Sequence, residues 1–195
     1  MSVNVKSFKF PMKPSPALKN VKNIEEVEKW LVEPKYDGWR IVYVPNEGFF
    51  TRKGNSLNDW AFLKKLRPLF EYCDEKNIYL DGELVHLKGR DHIPSLKYDE
   101  NGNAHIFLFD VIDEEKPLLE RLRTLVLTVR HINSIVVSVI PSIPLKEEKD
   151  IQKFFTLWTM HNNIEGIVLK RIDSKYYPGK DGPVITNDWI KIKSL

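Results

Sequence analysis

The chain contains a single cysteine, Cys73, among its 195 residues. An internal disulfide is therefore excluded, and a reducing compartment is the natural setting. No apolar run approaches the roughly 20 residues needed to cross a bilayer. The opening residues, MSVNVKSFKF, lack the apolar centre of a secretory signal. Together these absences predict a cytoplasmic protein with no membrane partner. Repeats are missing too, and the twelve prolines and nine glycines are dispersed, which leaves no low-complexity linker. Excess charge of one sign is scarce. A net charge of +3 with a pI near 8.8 does not name a nucleic-acid partner, because such binding needs clustered rather than averaged charge.

What is present suits a folded core. With 42% hydrophobic and 29% charged positions, a chain of this length can bury a substantial interior as one domain over residues 1–195. A monomer is expected. Residues 1–20 are basic and broken by Pro11, Pro14 and Pro16, which predicts an extended lead-in over the surface. Ile24, Val27 and Leu31 share a helical face opposite Glu25, Glu26 and Glu28, and Pro34 forbids continuing that helix. The stretch WRIVYV alternates and is followed after PNEG by GFFTR, a predicted hairpin. A helix over 60–70 is expected, capped by Asn58 or Asp59. Strands are expected over 77–87 and 104–112, joined by a polar loop, followed by a helix opened by Pro117 and running to about His131. A strand over 134–140, a helix over 146–161 and a strand over 164–172 come next, then a loop over 174–188 and a closing strand over 189–193. Strands follow one another without regular helical crossovers. That predicts an α+β fold of mostly antiparallel twisted sheets flanked by helices.

The segment EPKYDGWR, residues 33–40, carries the first chemical signal. Pro34 and Asp37-Gly38 read as a turn feeding a strand, in which Lys35 could be an ordinary solvated lysine. The same lysine stands two residues before an acid and five before Arg40, and a neutral lysine can attack an α-phosphate. Further along, Asp81 and Glu83 in LDGELV share a strand face, and Glu83 interrupts an apolar strand where a buried carboxylate needs a partner. Phe109 in FLFDVI offers an aromatic surface or simply core. Glu165 and Lys170 bracket the apolar run of EGIVLKR. Lys191 and Lys193 in WIKIK lie on one strand face, where two cations repel unless an anion lies between them.

KYDGWR resembles the KxDGxR signature of the covalent nucleotidyltransferases: ATP-dependent DNA ligases, RNA ligases and mRNA capping enzymes. The other segments follow in that family's order across residues 33–193, and IEGIVLKRIDSKYYPGK is similar to DNA ligases more than to capping enzymes. The resemblance implies the ATP-grasp-like ligase nucleotidyltransferase fold. It implies that Lys35 takes AMP from ATP as a phosphoramidate and passes it to the 5′-phosphate of a nick in double-stranded DNA. Around it, Glu33, Asp37 and Arg40 would bind nucleotide. Arg52 in TRKGNSL would grip a nucleotide phosphate or the nick's 5′-phosphate. Glu83 would bond the ribose hydroxyl, and Phe109 would stack on the base. Glu165 would hold Mg²⁺, with Asp37 acting through water. Lys170 would contact nucleotide phosphate or the base side, and Lys191 and Lys193 the α-phosphate while keeping Lys35 neutral. Arg121 in PLLER would be structural. Only 34 residues precede Lys35, which favours ATP over NAD⁺ as donor. An RNA ligase and a capping guanylyltransferase using GTP remain as alternatives. The family's ligases continue past the last lysine pair into an OB-fold domain, whereas this sequence stops two residues after Lys193. Either an excised adenylation domain or a minimal form is implied, with weak self-adenylation and better sealing of pre-adenylated nicks.

Overall fold

In the computed structural model, which describes residues 8–16 and 24–193, period-two side-chain alternation organises the molecule around two five-stranded sheets. The first sheet has the order β1 (Lys13–Pro16), β10 (Ile185–Ile192), β9 (Ile164–Arg171), β2 (Trp30–Tyr36), β8 (Ile143–Pro144). The second has the order β4 (Gly48–Thr51), β3 (Trp39–Val44), β5 (Leu80–His86), β6 (Ala104–Val111), β7 (Val137–Val139). Strand pairs are antiparallel except β1 with β10 and β6 with β7. The α+β expectation therefore holds. Among the described residues no helix is long and apolar enough to cross a membrane.

Each sheet turns one apolar face outward against helices. Ile41, Tyr43, Leu80, Leu84, Ile106 and Leu108 of the second sheet pack beneath α1 (Ala61–Leu66), α2 (Glu71–Glu75) and α3 (Leu118–Ile132). Trp30, Val32, Ile167, Leu169 and Ile192 of the first sheet pack with Ile151 of α4 (Lys149–Thr159). The inner faces meet around Val42, Val44, Phe50 and Trp189, with Met12 and Tyr176 closing one side. Alternation then forces the intervening residues inward. Glu33 and Lys35 on β2, Arg40 on β3, Asp81 and Glu83 on β5, Phe109 on β6, Lys170 on β9 and Lys191 on β10 all belong to the inner faces.

Several local expectations are corrected. Ile24 to Leu31 is not a helix. Only a 3-10 turn forms at Val27–Lys29, and β2 starts at Trp30, because the alternation of Trp30 and Val32 against Leu31 and Glu33 buries both faces of a strand. Pro34 and Lys35 accordingly lie in that strand rather than in a turn. β8 reaches only Leu31 and Val32, so Pro34 sits where β2 is an edge on that side, a place that tolerates proline. Asn58 caps no helix; its Oδ1 accepts from the Phe49 N–H at 2.8 Å and its Nδ2 donates to the Glu47 carbonyl at 2.6 Å, which ties down the hairpin. The helix expected over 60–70 is broken into α1 and a 3-10 turn at Arg67–Phe70. The polar loop after β5 contains a 3-10 helix, Arg90–Lys97, anchored by the fully buried Ile93 and Leu96. β10 begins at Ile185, inside the expected loop. Of the lead-in, residues 13–16 form β1, while residues 1–7 and 17–20 lie outside the described residues.

Two glycines are required by close approach rather than by a turn. A Cβ on Gly38 would stand 2.3 Å from the Leu84 carbonyl oxygen, so only glycine lets the start of β3 lie against β5. A Cβ on Gly166 would stand 2.1 Å from the Ile192 carbonyl oxygen, which is how β9 and β10 come together beside Glu165.

Candidate active site

The inner faces enclose a cleft of about 600 Å³, and nine of its lining residues are lysines or arginines. Every site residue expected from the sequence lines it: Glu33, Lys35, Asp37, Arg40, Arg52, Glu83, Phe109, Glu165, Lys170, Lys191 and Lys193.

One end is a cationic cluster. β2 and β9 pair with Lys35 opposite Gly166, which places the neighbouring Glu165 beside the lysine. The Lys35 ammonium donates to Glu165 Oε1, and the Lys193 ammonium donates to Oε2 at 2.6 Å. Glu165 is therefore a carboxylate between two lysines. Burial pushes its carboxyl up, but the bonds from Lys193 and Lys35 outweigh burial and hold it below the usual carboxylate range. Lys191 lies on β10 opposite Val168 and makes no ion pair among the described residues. Lys193 falls just beyond β10. At the β2–β3 turn the Asp37 N–H donates to the Asn163 carbonyl at 2.8 Å, and Asp37 Oδ1 accepts from Arg90 Nη1 at 3.2 Å.

The other end is aromatic. Phe109 and Trp189 meet edge to face with centroids 6.2 Å apart. The Lys170 ammonium lies 4.2 Å from the Trp189 ring centroid and 4.8 Å from that of Phe109. It donates to the Phe109 carbonyl at 2.9 Å and pairs with Glu33 Oε2 at 2.8 Å, both side chains being almost wholly buried. Burial pushes the Glu33 carboxyl up, and Lys170, together with Ser142 Oγ donating at 2.6 Å, pulls against it. In the register of β2 against β9, Lys170 is opposite Leu31 and Gly166 is opposite Lys35. Four residues of strand, about 13 Å, thus separate Lys170 from the Lys35 position. Lys170 and Glu33 satisfy each other beneath the aromatic end.

Between the ends stand Arg40 and Glu83. Arg40 forms a bidentate pair with Asp81, with Nε–Oδ1 at 2.8 Å and a second bond from Nη2 to Oδ2, while Tyr176 donates its hydroxyl to Oδ2 at 2.5 Å. Its guanidinium carbon lies 5.1 Å from the Phe109 ring centroid. Burial dominates at Glu83 and pushes its carboxyl to about 7, against the pull of Lys35 and Arg40. Arg52 is exposed at the tip of the turn after β4.

Behind the aromatic end, Arg121 of α3 and Asp110 of β6 form a fully buried bidentate pair at 2.8 and 3.0 Å. Arg121 Nη1 also donates to the carbonyls of Lys116 at 2.8 Å and Ser174 at 2.7 Å.

Sequence reasoning missed four contributors: Ser142 and Asp81 as partners, Val168 as lining and Arg90 as a cation at the mouth. Asp81 was legible as an inward carboxylate from its two-residue offset to Glu83. Ser142 and Arg90 lie in stretches with no periodicity and gave no local signal.

A cleft between two sheets, with a lysine–carboxylate–lysine cluster at one end and edge-to-face aromatics at the other, is the nucleotidyltransferase architecture of DNA ligases. Solved structures with that fold include the Chlorella virus DNA ligase-adenylate (TM-score 0.73, 17% identity, 95% of this chain and 67% of that one). The ligase domain of Mycobacterium tuberculosis LigD is another (TM-score 0.68, 22% identity, 95% and 59%). The chain belongs to the ATP dependent DNA ligase domain family, whose family model matches residues 11–193. It is 28% identical to a DNA ligase of Methanosphaera stadtmanae, over 88% of this chain and 35% of that protein. It is also 28% identical to a DNA ligase of Haemophilus influenzae, over 79% of this chain and 56% of that protein. The chain thus spans about a third and just over half of these two relatives.

Proposed function

We propose that the chain is the adenylating domain of an ATP-dependent DNA ligase, in which Lys35 takes AMP from ATP and hands it to the 5′-phosphate of a nick. The observation that carries this reading is the Lys35–Glu165–Lys193 cluster at one end of a cleft whose other end is aromatic. The distance between the ends suits a nucleotide: base at Phe109, ribose at Glu83 and Arg40, α-phosphate at Lys35 and Lys191.

The residues then divide the work. Phe109 supplies a face for stacking, fixed from below by Lys170. Glu83 accepts from a ribose hydroxyl when ionised. As arranged, Lys35 is tied to Glu165, which is the posture of a resting, protonated amine. Attack requires it to leave that carboxylate and lose a proton, since only the neutral amine is nucleophilic. Lys191 and Lys193 are placed to meet the negative charge gathering on the α-phosphate oxygens. The nitrogen–phosphorus bond forms as the bond from the α-phosphorus to the bridging oxygen breaks, pyrophosphate leaves with the electron pair, and the two protons shed by the lysine nitrogen, one before attack and one after, pass to water.

Glu165, with Asp37, fits Mg²⁺. Two carboxylates at a phosphate site match a hard ion that completes its shell with water and phosphate oxygens. Among the described residues there is no set of three or more His, Cys, Asp or Glu side chains that would make a dedicated protein cage. When bound there, the ion would neutralise phosphate charge and compete with Lys35 for Glu165.

The test is label transfer. Protein incubated separately with labelled ATP, GTP and NAD⁺ should retain label from ATP alone, lose it on Lys35→Ala, and release it onto nicked DNA rather than RNA. Full labelling of Lys35→Ala would sink the assignment of the nucleophile, and labelling from GTP would redirect the reading to a capping-type enzyme.

A further inference from the structure

Arg90 is not among the residues that the sequence pattern singles out, yet it lines the same cleft from the opposite sheet. It stands in the connection between β5 and β6, directly after Gly89, whose φ of 104° only glycine adopts easily. The connection itself is firmly seated. Ile93 and Leu96 are fully buried, Leu87 N–H donates to the Asn103 carbonyl at 2.8 Å, and Lys65 Nζ donates to the Glu100 carbonyl at 2.9 Å. The backbone is fixed and the side chain is not: the Arg90 side chain is 52% exposed, and its single ion pair is the 3.2 Å contact with Asp37, itself 39% exposed.

An exposed pair of this kind contributes between nothing and about 1 kcal/mol. A guanidinium on a phosphate makes two parallel charge-assisted bonds, a stronger and better-shaped contact than the monodentate one to Asp37. A phosphate oxygen arriving at the mouth therefore has only a weak, exposed contact to displace at Arg90. The α-phosphate position is already crowded with Lys35, Lys191 and Lys193 from the first sheet. Arg90 approaches from the second sheet and lies near enough to Glu83 for its charge to lower that carboxyl.

We propose that Arg90 is an exchangeable phosphate-binding residue: Asp37 parks it, and it moves to a phosphate other than the α-phosphate when the cleft binds its ligands. That phosphate comes either from the pyrophosphoryl part of ATP or from DNA beside the nick. Arg90 makes no covalent bond in either case. It positions the leaving group or the strand, and Asp37 returns it afterwards. The inference rests on the ligase reading above for the identity of the two phosphate sources.

The experiment compares the full chain with Arg90→Ala and Arg90→Lys in three measurements. The first is lysyl-AMP formation against ATP concentration, together with the pyrophosphate concentration that half-reverses it. The second is sealing of a pre-adenylated nick across a salt series. The third is calorimetric binding of inorganic pyrophosphate to the unlabelled protein. If ATP supplies the phosphate, Arg90→Ala should raise the ATP KM and the pyrophosphate half-point about 10- to 100-fold. Arg90→Lys should recover part of that by keeping the charge without the fork. If DNA supplies it, the ATP measurements stay put and the salt slope of nick sealing falls by about one. A purely structural role would shift the thermal midpoint of Arg90→Ala and leave all three measurements where they were, and that outcome overturns the proposal. Should the wild-type protein take no label from ATP, the ligase reading fails, but the pyrophosphate titration still decides whether Arg90 binds phosphate.

Discussion

Replacing Lys170 by methionine isolates the buried pair under the aromatic end. Methionine keeps most of the side chain's packing and removes only the ammonium. Glu33 is then left with the Ser142 hydroxyl as its sole side-chain partner. Uncompensated burial of that carboxylate is intolerable, so Glu33 takes up a proton instead. Because burial already holds the wild-type carboxyl above its unfolded value of 4.5, the variant loses only the stabilisation of the ionised form that Lys170 supplies. The lost bond to the Phe109 carbonyl adds about 1 kcal/mol. The expected destabilisation at pH 7 is about 3–5 kcal/mol, the range for buried pairs that lose one partner. The sign of its pH dependence follows. A carboxyl raised above its unfolded value stabilises the fold at low pH and loses that contribution as pH rises from about 4.5 towards the folded value. The deficit of Lys170→Met relative to wild type should therefore be smaller at pH 5 than at pH 7. Urea unfolding at pH 5 and pH 7, with slopes confirmed equal, measures it. Adding Glu33→Gln should recover much of the loss at pH 7. A deficit identical at both pH values, or a double variant no more stable than Lys170→Met alone, would refute the reasoning.

Two further perturbations address the cleft. Glu165→Gln keeps the shape but not the charge, so lysyl-AMP formation should fall by about 10²-fold or more and lose its response to magnesium. Unfolding should change little, because these ion pairs are partly exposed; wild-type magnesium dependence in this variant would count against the assignment. Glu83, pushed to about 7 from an unfolded value of 4.5, should make the wild-type protein progressively less stable as pH rises between those values. Glu83→Gln should flatten that part of the urea-midpoint profile, and an unchanged profile would place the titration elsewhere.

The inward set was legible because it obeys a period of two. Once a strand's apolar face is recognised, Asp81 and Glu83, and Lys191 with Lys193, are committed to the other face, whereas Glu33 and Lys35 stand in a segment read as a turn and are marked only by the KxDGxR resemblance. Partners across strands were not legible. That Lys170 meets Glu33, and that Lys35 meets Glu165, depends on the β2–β9 register, which is set by packing rather than by either segment. The helix expected at Ile24–Leu31 fails because β2 begins at Trp30 and claims Leu31 for the sheet, leaving only the 3-10 turn at Val27–Lys29. The turn assigned around Pro34 failed because proline was read as an interruption, when it stands at an edge. The 3-10 segment carrying Arg90 is too short and too polar to show a period at all.

Arg121 and Asp110 are fully buried beneath the cleft, Asp110 opposite Asp81 in the β5–β6 register and the Arg121 guanidinium 5.6 Å from the Tyr176 ring, and their bonds are not local. The pair joins α3 to the strand that carries Phe109, and the Ser174 carbonyl extends it towards Tyr176, which in turn braces Asp81 and Arg40. This line of bonds is a keel: the cleft's shape is inherited from behind it. Residues on the cleft surface can therefore be exchanged without re-levelling the floor. A change at Arg121 would instead tilt the floor as a whole.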